Sequence, residues 1–145
     1  MSDLETYSDY FYESQLIQSK KSANQILPII EDWFSPSSII DVGCGVGAWL
    51  EQWKQINPEK EVTGYDADFV NESLLLIKPE EFVTTDLNET IKSSSKAELL
   101  MCLEVAEHLN EKRADSFISD LTSLSDVILF SAAIPGQEGT HHINE

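Results

Sequence analysis

Ser38-Ile39-Ile40-Asp41-Val42-Gly43-Cys44-Gly45-Val46-Gly47 decides the fold: a short apolar run that passes through an aspartate into three alternating glycines. The run reads as a buried strand, and the segment after the glycines reads as a helix. Over Val46 to Ile56, Trp49, Leu50, Trp53 and Ile56 fall on one face and Glu51, Gln52, Lys54 and Gln55 on the other. Asn57-Pro58 ends it. Glycines between a strand and a helix permit positive φ and let a ligand approach the backbone. The turn over Asp41 to Gly47 is therefore a candidate cofactor cradle.

On either side of this stretch the alternation continues. Upstream, Ser22 to Phe34 reads as a helix with Ser22 as a cap, an apolar face of Ile26, Leu27, Ile30, Trp33 and Phe34, and Pro28 at its first turn or at a kink. Downstream, Glu61 to Tyr65 is a second strand ending at Asp66, and Val70 to Ile77 is a weaker helix. Phe82 to Thr85 and Ala97 to Leu103 are the third and fourth strands. Glu111 to Leu124 is a helix on a stripe of Ala114, Phe117, Ile118, Leu121 and Leu124, and Val127 to Ala132 is a fifth strand. Strands alternating with helices predict a doubly wound, mostly parallel α/β sheet with helices on both faces. The predicted organisation is one domain over 1–145, with an N-terminal helical extension over 1–36 and the core over 37–145. In such sheets ligands bind beyond the carboxyl ends of the strands. Asp41 to Gly47, Asp66, Asp86, Glu104 to His108 and the tail after Ala133 all come after strand ends.

Bulk composition narrows the classes. The net charge of −17, with 9 basic residues against 26 acidic ones, argues against a polyanionic partner such as nucleic acid. The apolar runs are too short to span a membrane. Met1-Ser2-Asp3-Leu4-Glu5 lacks the pattern of a secretory or mitochondrial leader, and Cys44 and Cys102 show no paired spacing, so a reducing cytoplasm is expected.

The spacing Gly43-x-Gly45-x-x-Ala48 also fits a dinucleotide fingerprint, which keeps an NAD-dependent oxidoreductase as an alternative. Two features weigh against it. Asp41 suits an ammonium better than a pyrophosphate, and the chain has no second mononucleotide half. Asp66 is placed to accept from ribose hydroxyls. Asp86 either accepts from an adenine amino group or caps a turn.

Asp41-Val-Gly-Cys-Gly-Val-Gly47, Gly64-Tyr65-Asp66, Asp86-Leu87 and Cys102-Leu103-Glu104-Val105-Ala106-Glu107-His108-Leu109 together resemble the class I S-adenosylmethionine (SAM)-dependent methyltransferases. The resemblance implies a Rossmann-like fold and methyl transfer to an oxygen, with nitrogen second, of a small-molecule acceptor. It places Asp41, Gly43, Gly45 and Gly47 at the methionyl end of SAM, Asp66 at the ribose and Asp86 at the adenine, with Glu104 also at the cofactor. The family's sheet has seven strands and only five are legible here, so a shortened chain is expected, either an active enzyme or a non-catalytic SAM-fold module. An open sheet edge would call for cover by a second copy or another partner.

Glu104, Glu107 and His108 stand at i, i+3 and i+4, on one face if Glu104 opens a helix. With His141 they make a candidate site for Mg²⁺ or another divalent cation. The Glu-x-x-Glu-His segment resembles metal-binding segments of some O-methyltransferases. His108 is the candidate general base, since imidazole titrates near neutrality.

Overall fold

A computed structural model describes residues 3–68, 71–137, 139 and 142–143, with the helical backbone alone over 3–12. Helix α1 spans Asp3–Phe34 and leads into strand β1 (Ser38–Val42) and helix α2 (Ala48–Ile56). Next come strands β2 (Glu61–Asp66), β3 (Phe82–Thr84) and β4 (Leu99–Leu103), helix α3 (Ala114–Leu124) and strand β5 (Ile128–Ser131). The five strands form one sheet in the order β3-β2-β1-β4-β5, and every pairing is parallel. This is the expected doubly wound sheet.

Strand alternation builds two cores. Ile39, Leu99 and Met101 face α1 and α2, where Ala23, Leu27, Leu50 and Trp53 are fully or almost fully buried. Ile40, Val42, Leu100 and Cys102 face α3 and pack on Phe117, Leu121 and Leu124. Successive residues of a strand point to opposite faces, so a run such as Leu99-Leu100-Met101-Cys102 must be apolar throughout to be covered on both.

Several boundaries move. The first helix does not begin at Ser22, which lies in its interior, and it runs through Pro28. Residues 3–27 contain neither glycine nor proline, so nothing local stops the helix short of Asp3. Ile26, Trp33 and Phe34 are exposed rather than inward, because Ala23, Leu27 and Ile30 fill the face toward the sheet. Ile56 and Ile118 are likewise exposed. The helix expected over Val70 to Ile77 is reduced to one 3₁₀ turn, Glu72–Leu74, capped by the Asn71 side chain, and Val70 is outside the described residues. Three consecutive leucines and Ile77 do not give one helical stripe. The fourth strand opens at Leu99, two residues late, with Ala97 in a lone bridge to Ser125.

One buried cation ties α1 to the sheet. Lys60, 4% exposed, donates to the Pro36 carbonyl at 2.6 Å, pairs with Glu31 at 2.8 Å and lies 5.4 Å from the Trp53 ring centroid. Lys60→Ala is expected to cost about 3 kcal/mol by orphaning these groups, lowering Tm by roughly 10 °C. Thermal unfolding beside Lys92→Ala, an exposed lysine, checks it; equal melting of the two variants contradicts it.

Candidate functional site

The parallel register brings the carboxyl ends of all five strands to one edge, and the glycine turn leaves β1 there. Gly43 and Cys44 both donate to the Tyr65 carbonyl, at 2.7 and 3.2 Å, which curls the turn over the end of β2. Asp66, the last residue of β2, accepts from the Gly45 N–H at 2.7 Å and from the Ala67 N–H at 2.8 Å. Asp66 is thus bound to the turn as well as placed beside it.

Each glycine has its own reason. Gly43, at φ 80°, would carry a Cβ 2.3 Å from Val105 Cγ2, so only glycine fits against the segment after β4. Gly45, at φ 54°, would place a Cβ in open space, with nothing within 4 Å. Gly47, at φ 88°, lies against Ile77 and caps α2. The turn is therefore packed at both ends and open in the middle, the shape of a cradle for a ligand that touches backbone.

Asp41 is 4% exposed, and among the described residues no hydrogen bond reaches its carboxylate. Burial first, and then the charge of Asp66, push its carboxyl up to about 7. Two buried carboxylates at one strand edge leave that edge short of positive charge. The neighbouring thiols are quiet: burial raises Cys44, and raises Cys102 to about 12, so neither is a ready nucleophile.

The Glu-x-x-Glu-His segment departs from expectation. Glu104 does not open a helix; its φ of 56° lies in the left-handed region, and only Ala106–His108 forms a single 3₁₀ turn. The i, i+3, i+4 face therefore does not form, and Glu104 stands exposed, outside the group that converges. That group is Glu107, His108 and His142, with one ligand atom of each within 4.8 Å of the others. His141, the histidine expected there, lies outside the described residues. His142 packs edge-on to His108 at 5.3 Å between ring centroids, and the Ile143 N–H donates to the Glu107 carbonyl at 2.6 Å.

Asp86 is exposed, and its carboxylate accepts from the Asn88 N–H at 2.9 Å, the turn-capping alternative. Three features of the site were not legible in the sequence: Val105 and Ile77 as packing partners of the glycines, and the burial of Glu107 at 2% exposure. Only the apolar character of Val105 and Ile77 hinted at the first two.

A family model described as a methyltransferase domain matches residues 15–124. No curated protein matches the chain at a significant level. Among solved structures it is similar to the plantazolicin methyltransferase BpumL in complex with a monoazolic desmethylPZN analog and SAH. The TM-score is 0.65 and the identity 18%, over 83% of this chain and 48% of that one. It is also similar to an O-methyltransferase family protein from Burkholderia thailandensis, with TM-score 0.62 and identity 15%, over 81% of this chain and 37% of that one. A third is DesVI of Streptomyces venezuelae, with TM-score 0.64 and identity 16%, over 86% of this chain and 54% of that one. The chain spans about half the length of the first of these structures. The shared feature is the Rossmann-like fold.

Proposed function

The chain belongs to the methyltransferase domain family, and on that premise we propose that it binds SAM in the Asp41–Gly47 cradle and directs methyl transfer to an oxygen of a small molecule. The observation that carries the reading is the Asp41–Asp66 pair under an open glycine turn. A buried carboxylate without a hydrogen-bond donor is matched by the ammonium of a methionyl group. The unfilled space at Gly45 suits a ligand lying on backbone, and Asp66 at the end of β2 suits ribose hydroxyls. Asp86 keeps a second carboxylate oxygen for an adenine amino group, and Glu104 stands at the same strand edge. The dinucleotide alternative has no support in the family match.

Bound SAM supplies an electrophilic methyl on a sulfonium and leaves as the neutral thioether. The chain's own part is to hold the acceptor in line and to remove its proton. His108 takes the proton of the acceptor hydroxyl, and the oxygen takes the methyl group. Incubation with methyl-labelled SAM and paired hydroxyl and amine acceptors tests this. Label on oxygen is expected, falling by roughly 10²-fold or more in His108→Gln; label on amines alone overturns the oxygen assignment.

A divalent cation at Glu107, His108 and His142 is a second reading of the same cluster, in which the ion replaces His108 as the group that activates the hydroxyl, and one specific observation favours it. Glu107 Oε2 is buried and has no hydrogen-bond partner among the described residues, which is costly for a carboxylate unless a cation completes it. A mixed oxygen and nitrogen donor set suits Mn²⁺ or Mg²⁺, and such an ion would lower the pKa of an acceptor hydroxyl. Millimolar Mn²⁺ is expected to raise Tm of the ligand-free chain and to leave Glu107→Gln unmoved. An unchanged wild-type Tm removes the cation from the reading.

A further inference from the structure

A cavity of about 540 Å³ opens between the loop after β3 and the segment joining β4 to α3. Asn88, Glu89, His108, Asn110, Lys112 and Ile143 are among the residues that line it. His108 and Ile143 connect it to the Glu107–His108–His142 cluster. Its hydrogen-bond accounting is one-sided. The Asn110 N–H donates to Asn88 Oδ1 at 3.0 Å, and the Lys112 N–H donates to Asn110 Oδ1 at 3.1 Å. These two bonds fix the orientation of both side-chain amides: each carbonyl is used by backbone, and each NH₂ group is left over. Of the two cations that line the cavity, Lys112 has no ion pair among the described residues, as is also true of Lys21, Lys78 and Lys92 elsewhere on the chain. Arg113 lines the same cavity but is spent on the fold. Its guanidinium donates to the Leu87 and Glu89 carbonyls and to Ser116, and pairs with Asp120.

We propose that this cavity binds an oxyanion, the carboxylate of the methyl acceptor, through the amide NH₂ groups of Asn88 and Asn110 and the ammonium of Lys112. That the bound molecule is the acceptor rests on the methyl-transfer reading, but the anion preference stands on the cavity alone. Three donors whose own carbonyls, where they have them, are already engaged match a group that offers only acceptors, with the Glu89 carboxylate as the one charge in the cavity that opposes it. In a chain of net charge −17, long-range attraction cannot bring an anion in, so recognition has to be local. Glu89→Gln therefore sharpens the test. The volume suits a small aromatic or aliphatic acid. With its anion at Lys112, such a molecule has its other end toward His108.

The experiment is an NMR titration of the ¹⁵N-labelled full chain, with benzoate, its neutral isostere benzamide and inorganic phosphate as probes. Benzoate is expected to give saturable shifts in the Asn88 and Asn110 side-chain amides, with benzamide at least about tenfold weaker. Lys112→Met should weaken benzoate about tenfold, Lys112→Arg should restore it, and Glu89→Gln should tighten it. Saturation by phosphate at lower concentration than benzoate also supports the oxyanion site and assigns it to a phosphoryl-bearing acceptor. Equal binding of benzoate and benzamide, indifference to Lys112→Met, or no saturable shift from any probe overturns the proposal. A separate titration with S-adenosylhomocysteine reads the Gly43–Gly47 amides. Its failure sinks the cofactor reading and leaves the anion result standing.

Discussion

Asp41→Asn is expected to make the ligand-free chain more stable and unable to hold its cofactor. The buried carboxyl titrates near 7 in the folded chain against 3.8 for an unperturbed aspartate, raised by burial and by Asp66. Below about pH 4 it is protonated in both the folded and unfolded states. Between about pH 4 and pH 7 the unfolded chain has released the proton and the folded chain still holds it, so this group's contribution to stability declines as pH rises through that window. Above pH 7 the full penalty applies, about three pKa units or roughly 4 kcal/mol. Asparagine carries no such penalty. The variant should therefore melt several degrees above wild type at pH 8 and gain less than half as much at pH 5, where folded Asp41 is neutral and only the unfolded chain's aspartate is ionised. Cofactor affinity should move the other way. An ammonium bound at Asp41 favours the ionised carboxylate, so wild-type affinity for S-adenosylhomocysteine should fall toward tenfold per pH unit below about 7. The asparagine variant should bind about 100-fold more weakly at pH 8. Melting curves at the two pH values and calorimetry between pH 6 and 8 check both halves. Affinity flat across that range would remove Asp41 from the ammonium.

Gly43→Ala and Gly45→Ala are expected to fail for different reasons. At Gly43 a methyl group would meet Val105 Cγ2 at 2.3 Å, on a backbone at φ 80°. Positive φ costs a non-glycine residue about 1–2 kcal/mol and the overlap about 1–3 more, so the variant should lose both stability and cofactor. Pairing it with Val105→Ala should recover part of the stability, as coupled neighbours do. At Gly45 the methyl group meets nothing within 4 Å. That variant should fold with only the φ penalty yet lose the cofactor, because the space it fills is the ligand's. Unfolding curves beside binding isotherms separate the cases. A Gly45→Ala chain that binds as tightly as wild type would mean that the open space over the turn is not used.

The sheet and the cradle were legible because both are local and strongly patterned. Ser38 to Val42 and Leu99 to Leu103 are apolar on both faces, as only interior parallel strands are, and three glycines after such a strand leave little choice of backbone. Asp66 was legible as a strand-end carboxylate, although its bond to the Gly45 N–H was not. The Glu104 to His108 segment misled because its i, i+3, i+4 spacing presumes a helix. The chain instead passes through a left-handed Glu104 into a single 3₁₀ turn, which buries Glu107 and exposes Glu104. The partner histidine, His142, lies far along the chain in a tail with no periodicity, so its approach to Glu107 and His108 emerges only from tertiary structure. The donor-lined cavity was illegible for the same reason. Nothing in the sequence singles out Asn88 or Asn110, and their spare amide groups emerge only once each carbonyl is seen accepting from a backbone N–H.

Calorimetry of the folded chain with S-adenosylhomocysteine at pH 8, with NADH titrated in parallel, tests the central claim most directly. The predicted result is saturable one-site binding of S-adenosylhomocysteine that is lost in Asp41→Asn and Gly45→Ala, with no binding of NADH. A folded chain that gives no heat with S-adenosylhomocysteine, or that binds it equally in all three forms, would contradict the assignment of Asp41 to Gly47 as a SAM cradle.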